Sequence, residues 1–199
     1  MQTVGVLGGV ACGKSLVTRQ FAQLGAGVVD ADRLGHAALD EPEVRAALSV
    51  RWGGGVFLPD GTVHRKRVAE IVFDPAEEGA IERAFLERVV HPWITRGLEE
   101  AQARLRSQEY RVVVLDAPLL LEAGWDRLCS KLVFVDAPRQ LRLARATSRG
   151  WTEEDVARRE AAQVPLEVKR RRADVTIDNS GTPRETQAQV ERLWESLVE

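Results

Sequence analysis

The strongest chemical signal in this sequence is a glycine-rich loop that ends in a lysine and a serine. Residues 8–15 have the order Gly-Gly-Val-Ala-Cys-Gly-Lys-Ser, between an apolar run that predicts a strand and a spacing that predicts a helix. Glycines in such a loop let backbone N–H groups surround nucleotide phosphates, and the helix adds the positive end of its dipole. The residues of this loop that are predicted to bind ATP are Gly9, Val10, Ala11, Cys12, Gly13, Lys14, Ser15 and Leu16.

Two residues of this loop are expected to act directly on the phosphates. Lys14 would reach the β- and γ-phosphates, and the hydroxyl of Ser15 would coordinate the Mg²⁺ that accompanies ATP. Both interactions neutralise charge on the transferred group, so the loop predicts phosphoryl transfer with Lys14 as a catalytic residue. A glycine-rich turn that merely joins a strand to a helix is the alternative, and the Lys-Ser pair disfavours it.

Carboxylates follow two other predicted strands. Asp30 and Asp32 come directly after a short apolar run, and Asp116 ends the run that begins at Val112. Ligands of open α/β folds bind at this carboxyl edge of the sheet. Asp32 is therefore expected either to accept the proton of an attacking hydroxyl or to cap the next helix. Asp116 is expected to hold Mg²⁺ directly or through water.

Arginines recur later in the chain at a helical spacing. Arg142, Arg145 and Arg149 are separated by three and four residues, so a helix would carry them on one face. Guanidinium groups suit phosphate oxygens, which favours a lid that closes over ATP. Arg142 is a candidate for ATP binding, and Arg145 and Arg149 are candidates for catalysis, with the arginine that contacts the transferred phosphate left open. An exposed basic face is the alternative, because 24 of the 28 basic residues are arginine.

Five apolar runs predict strands that alternate with helices or loops. These runs cover residues 3–7, 27–29, 111–115, 131–135 and 174–177. Such alternation predicts a parallel sheet with helices on both faces. The expected fold class is therefore α/β, a P-loop NTPase fold with a five-stranded parallel sheet, an inserted helical acceptor subdomain and a helical lid.

The helical segments divide this single predicted domain, 1–199, into a core and two additions. Residues 40–110 are predicted to form the acceptor subdomain, in which Pro92 restarts a helix. Residues 139–172 are predicted to form the lid, with Thr152 capping a helix that has few large apolar residues. The core would consist of residues 1–39, 111–138 and 173–199.

Composition narrows the classes of protein that remain. The formal net charge of −2 argues against a general nucleic-acid binder, and no apolar run approaches the ~20 residues of a membrane span. Two cysteines cannot build a disulfide framework, and three isolated histidines lack zinc-ligand spacing. We expect a cytoplasmic protein without nucleic-acid or membrane partners that is a monomer or a weak homo-oligomer.

A series of short motifs resembles the dephospho-CoA kinase family over essentially the whole chain. After the loop the series is Leu24-Gly25, Val29–Asp32, Gly61 with Arg65, His91–Ile94, Asp116–Glu122, Gln163, Lys169, Ala173-Asp174 and Ile177–Gly181. The Asp-Ala-Asp, His-Pro and Pro-Leu-Leu-x-Glu elements discriminate best, since P-loop proteins in general lack them. The resemblance implies phosphorylation of the ribose 3′-hydroxyl of dephospho-CoA by ATP and Mg²⁺, the last step of coenzyme A synthesis.

The resemblance also implies residue roles. Asp32 would be the general base, Arg145 or Arg149 would come from the lid, and Asn179 with Gly181 would lie near the adenine. The acceptor site would include Asp32, Arg65, His91, Pro118, Leu119 and Glu122. Three positions depart from the usual residues of the family: His64 for Asp, Cys12 for Ser and Leu16 for Thr.

Two other functions are considered beside this one. A nucleoside or nucleoside-monophosphate kinase would use the same ATP site with a different acceptor pocket. A nucleotide-operated switch would bind without transferring phosphate, but the sequence has no Asn-Lys-x-Asp guanine motif and carries acceptor-side motifs. Phosphorylation of dephospho-CoA, and not of nucleotides, would separate these possibilities.

Overall fold

The computed structural model of the chain describes residues 1–74 and 76–199. It contains two compact units: a sheet unit, which comprises Met1–Ala31 and Glu99–Glu199, and a helical unit, Asp32–Leu98. The helical unit differs at both ends from the predicted insertion, 40–110. The predicted lid, 139–172, belongs to the sheet unit.

The helices and strands have the following bounds. The strands are β1 (Gln2–Gly8), β2 (Gly27–Asp30), β3 (Val112–Asp116), β4 (Lys131–Asp136) and β5 (Val175–Asp178). The helices are α1 (Lys14–Gln23), α2 (Ala31–Ala38), α3 (Pro42–Trp52), α4 (Arg65–Val72), α5 (Glu77–Ser107), α6 (Arg139–Thr147), α7 (Glu153–Ala161), α8 (Leu166–Arg172) and α9 (Pro183–Val198). Within the described residues no helix is both long enough and apolar enough to cross a membrane.

The five strands form one parallel sheet in the order β2-β3-β1-β4-β5. The central strands are rich in valine and almost wholly buried, as expected for a parallel sheet covered on both faces. All carboxyl ends meet at one edge, where the β1–α1 loop and Asp116 lie. The predicted fold class is confirmed.

Helices α1 and α9 pack together on the sheet. Phe21 and Val17 of α1 share a buried cluster with Val190 and Leu193 of α9 and with residues of β1, β3 and β4. Helix α9 begins with the predicted capping box, in which the hydroxyl of Thr182 accepts from the N–H of Glu185. This packing fixes both helix starts at the carboxyl edge.

The predicted helix junction at Pro92 is wrong. Helix α5 continues through this proline from Glu77 to Ser107, so His91 lies inside a helix. A proline removes one intrahelical hydrogen bond, and a 31-residue helix keeps the bonds on either side of it. Because α5 is continuous, the helical unit ends inside this helix, at Leu98, and not after it as predicted.

Side chains of α3 and α5 pack together within the helical unit. Glu82 of α5 accepts hydrogen bonds from Arg51, at 2.6 Å, and from the indole of Trp52, also at 2.6 Å. The Trp52 ring meets Phe85 edge to face at a centroid distance of 5.5 Å. These contacts fix α3 on the N-terminal half of α5.

Candidate active site

The phosphate loop has a backbone that requires glycine at one position in particular. Gly13 precedes α1 with φ +103°, a left-handed conformation that L side chains rarely adopt. A Cβ atom at Gly13 would lie 2.0 Å from Nδ2 of Asn179. Any side chain here would displace Asn179 and strain the loop, so the glycine of the motif has both a conformational and a steric cause.

Asn179 is buried against this loop and joins it to α9. Its Nδ2 donates to the carbonyl of Cys12 at 2.7 Å, and its Oδ1 accepts from the hydroxyl of Thr186 at 2.9 Å. Asn179 is 1 % exposed and Thr186 is fully buried. Sequence reasoning missed Thr186 and this hydrogen-bond network, because both bonds depend on tertiary packing. The expected adenine contact of Asn179 and of the exposed Gly181 stays a prediction.

Two of the three predicted arginines lie on α6 and contact the phosphate loop. Arg145 donates to the carbonyl of Cys12 at 3.0 Å and to the carbonyl of Asn179 at 2.9 Å. Arg142 is buried, donates to the carbonyl of Val10 at 3.3 Å and forms an ion pair with Glu160. Neither arginine belongs to an exposed basic face.

Arg149 does not share a helical face with these arginines, contrary to the prediction. Helix α6 ends at Thr147, and the exposed Arg149 follows in a turn in which its N–H donates to Ala146. The sequence keeps the spacing of three and four residues, but α6 ends before it reaches Arg149. A catalytic role for Arg149 stays a prediction.

Asp116 ends β3 beside the phosphate loop. Its Oδ2 accepts from the hydroxyl of Thr18 at 3.1 Å, and β-sheet pairing sets it opposite Asp30 of β2. Burial raises the pKa of Asp116, while the Thr18 hydrogen bond and the charge of Lys14 oppose this change and Asp30 adds to it. The structure therefore brings Lys14 and the carboxylate of Asp116 to one site, with Ser15 exposed at the start of α1, and the role of Asp116 as a metal ligand stays a prediction.

A buried ion pair lies between α8 and the turn after β3. Lys169 is 1 % exposed, and its Nζ lies 3.0 Å from Oε1 of Glu122 and 2.9 Å from Oε1 of Gln163. The same carboxylate oxygen accepts from the N–H of Val164 at 2.7 Å. Burial lowers the pKa of Lys169, Glu122 opposes this change and Lys14 adds to it. Sequence reasoning assigned Lys169 no role in the site.

This ion pair fixes the segment that packs on the phosphate loop. A Cβ atom at Gly9 would lie 3.0 Å from Leu166 at the start of α8 and 3.0 Å from Nη1 of Arg142. Lys169 lies about one helical turn after Leu166, so its ion pair with Glu122 holds α8 in place. Pro118 and Leu119, two predicted acceptor residues, lie half-buried in the turn that leads to Glu122.

Lys169→Met is expected to lower the free energy of unfolding by about 3–5 kcal/mol, because the carboxylate of Glu122 would stay buried without its counter-ion. Urea unfolding followed by circular dichroism measures this loss. Arg170→Met is the matched control. The side chains of the neighbouring Arg170–Asp136 pair are 46% and 34% exposed, and the Arg170 guanidinium lies 5.2 Å from the centroid of the Phe134 ring, so this substitution should lower the midpoint less than Lys169→Met does. Equal midpoints for the two variants would contradict the role given to Lys169.

The remaining predicted site residues belong to the helical unit. Asp32 is exposed. It is the residue after Ala31, where α2 begins, so it lies inside the helix and is not its N-cap. Arg65 begins α4 and is exposed, next to His64, whose Nδ1 accepts from the N–H of Arg67 at 3.1 Å. Partial burial lowers the pKa of His91, against the opposing charge of Glu87. The roles of Asp32, Arg65 and His91 in binding or catalysis stay predictions.

The sheet topology and the phosphate loop, with arginines from α6 at the loop backbone, define a P-loop kinase as the class of protein. A family model described as dephospho-CoA kinase matches residues 2–185. The chain belongs to the dephospho-CoA kinase family.

Individual relatives agree with this family over their whole length. A dephospho-CoA kinase of Aquifex aeolicus is 36% identical over 199 residues, which cover 100% of this chain and 98% of the relative. One of Geobacter sulfurreducens is 39% identical over 197 residues, 98% of each chain. The solved structure of the Campylobacter jejuni dephospho-CoA kinase superposes with a TM-score of 0.73 at 25% identity, covering 100% of this chain and 98% of the other.

Proposed function

We propose that this protein transfers the γ-phosphate of ATP to the ribose 3′-hydroxyl of dephospho-CoA, giving coenzyme A and ADP in the last step of coenzyme A biosynthesis. The observation that carries this proposal is the extent of the family match, which covers residues 2–185 and so includes the helical unit and the sheet unit up to the first turn of α9. A nucleotide site alone would support only ATP use. We further propose that the reaction takes place in the cytoplasm.

The sheet unit holds the phosphates in this proposal. Backbone N–H groups of residues 9–15 surround the β-phosphate, and the ammonium of Lys14 neutralises charge at the β- and γ-phosphates. Arg145 lies within hydrogen-bond distance of the loop backbone, close enough for its guanidinium to exchange a carbonyl for a phosphate oxygen. Arg142 would reach ATP by exchanging its ion pair with Glu160.

The residues at this site fit a magnesium ion. Mg²⁺ in kinases keeps several waters and takes one or two carboxylates with the substrate phosphates, so a large protein cage is not required. The hydroxyl of Ser15 and the carboxylate of Asp116, which accepts a hydrogen bond from Thr18, would supply oxygen ligands of this kind. When bound, the ion would neutralise charge on the phosphates.

The acceptor contacts are proposed from the motifs that the chain shares with its family. Asp32 would accept the proton of the attacking hydroxyl, and Arg65 and His91 would bind dephospho-CoA. Pro118, Leu119 and Glu122 are likewise proposed as acceptor-binding residues. Residues 139–172 would act as the lid, and their closure would exclude water that competes with the acceptor hydroxyl for the γ-phosphate.

A coupled assay of ADP release tests the proposal with several acceptors. The expected result is rapid ADP release with dephospho-CoA and little with adenosine or AMP. Faster release with adenosine or AMP would assign the chain to the nucleoside or nucleoside-monophosphate kinases. Tight ATP binding without release with any acceptor would favour a nucleotide-binding module.

A further inference from the structure

We propose that Thr186 of α9 is a positioning residue for the phosphate loop, acting through the side chain of Asn179. Thr186 lies outside the loop and outside every motif noted in the sequence. The inference deepens the proposed function at its ATP site and depends only on nucleotide binding there.

The network has a defined direction of hydrogen bonding. The Cys12 carbonyl can only accept, so the NH₂ group of Asn179 faces it, at 2.7 Å. The Oδ1 atom of Asn179 therefore faces Thr186 and accepts from its hydroxyl at 2.9 Å, a shorter distance than the 3.3 Å from this hydroxyl to the carbonyl of Thr182. With both residues nearly or fully buried, water has little access to replace either bond. Thr186 thus fixes the orientation of the Asn179 amide.

The orientation of Asn179 in turn fixes a peptide group of the phosphate loop. In a trans peptide the carbonyl and the following N–H point in opposite directions. Two donors, Asn179 and Arg145, hold the Cys12 carbonyl on one side, so the N–H of Gly13 is directed to the other. This N–H is one of the donors at the start of α1 that have no intrahelical partner and are available to a phosphate.

The steric arrangement leaves little freedom for the network. Asn179 lies directly against Gly13, because a Cβ atom there would overlap its Nδ2. Thr186 sits in the second turn of α9, whose start is fixed by the Thr182 capping box. Thr186 is therefore held by a helix that packs on α1 and the sheet. The hydrogen bonds from Thr186 to Asn179 and from Asn179 to Cys12 connect this helix to the phosphate loop.

The test compares Thr186→Val with Thr186→Ser. Valine keeps the size and branching of threonine but removes the proton donor, and serine keeps the donor. We expect Thr186→Val to weaken ADP binding and raise the KM for ATP by about tenfold, with a smaller change in kcat, because Asn179 would be left with an unpaired buried oxygen. Thr186→Ser should stay within about twofold of the unchanged chain.

Measurements of binding and stability together separate positioning from packing. ADP affinity by calorimetry needs no acceptor, so it tests the network even if dephospho-CoA proves not to be the substrate. Gln187→Ala, an exposed change on the same helix, is the control and should leave affinity unchanged. If Thr186→Val unfolds, Thr186→Ala is measured at low temperature instead. Unchanged ADP affinity in Thr186→Val or Thr186→Ala, with only a lower melting temperature, would overturn the proposal, as would equal losses in Thr186→Val and Thr186→Ser.

Discussion

Lys14→Ala is expected to lower kcat by at least about 10²-fold while the chain stays folded. Lys14 is the first residue of α1 and is half-buried at the phosphate loop, where it is the lysine of the Gly-Lys-Ser motif. Its ammonium would neutralise charge that develops on the transferred phosphoryl group, and alanine offers no substitute. Steady-state kinetics with ATP and dephospho-CoA measures the loss, and thermal unfolding checks the fold.

The matched control for this substitution is Arg19→Ala. Arg19 is an exposed cation on the same helix, so the two variants change the net charge equally. Near-normal kcat in Arg19→Ala and a large loss in Lys14→Ala would show that position, and not overall charge, matters. A Lys14→Ala enzyme with more than about a tenth of normal kcat would contradict the catalytic role.

Asp32→Asn is expected to lower kcat by about 10²–10⁴-fold with little change in the KM for ATP. The amide keeps the size of the side chain but cannot accept the proton of the attacking hydroxyl. Asp32 is exposed in the first turn of α2, so the substitution should not disturb packing. Rapid-quench measurement of a single turnover isolates the chemical step from product release.

Asp40→Asn provides the comparison for this second substitution. Asp40 is an exposed carboxylate that follows α2, and no catalytic role is assigned to it. We expect its kcat to equal that of the unchanged chain. If Asp32→Asn also kept near-normal kcat, Asp32 would not be the general base, and an orienting role would have to be considered.

Local sequence patterns predicted the parts of this molecule whose causes are local. The phosphate loop, the five strands and the Thr182 capping box depend on residues within a few positions of one another, and the structure has all of them. Asp116 was placed correctly because an acidic residue at the end of a buried strand marks the edge of a parallel sheet.

The parts that sequence reasoning missed depend on distant contacts. Cys12 and Asn179 are 167 positions apart, and Glu122 is 42 positions from Val164, whose N–H donates to the carboxylate that Lys169 contacts. No periodicity in the sequence brings such residues together. Helix ends were also hard to place: Arg149 keeps a helical spacing beyond the end of α6, and α5 continues through Pro92.

The most direct test of the central claim is phosphorus NMR of the product formed from ATP and dephospho-CoA. We predict one new monoester phosphate on the ribose 3′-oxygen for each ADP released, and the product should match coenzyme A. Release of inorganic phosphate in place of this monoester, or phosphorylation at another hydroxyl, would contradict the assignment of this chain as a kinase of the dephospho-CoA 3′-hydroxyl.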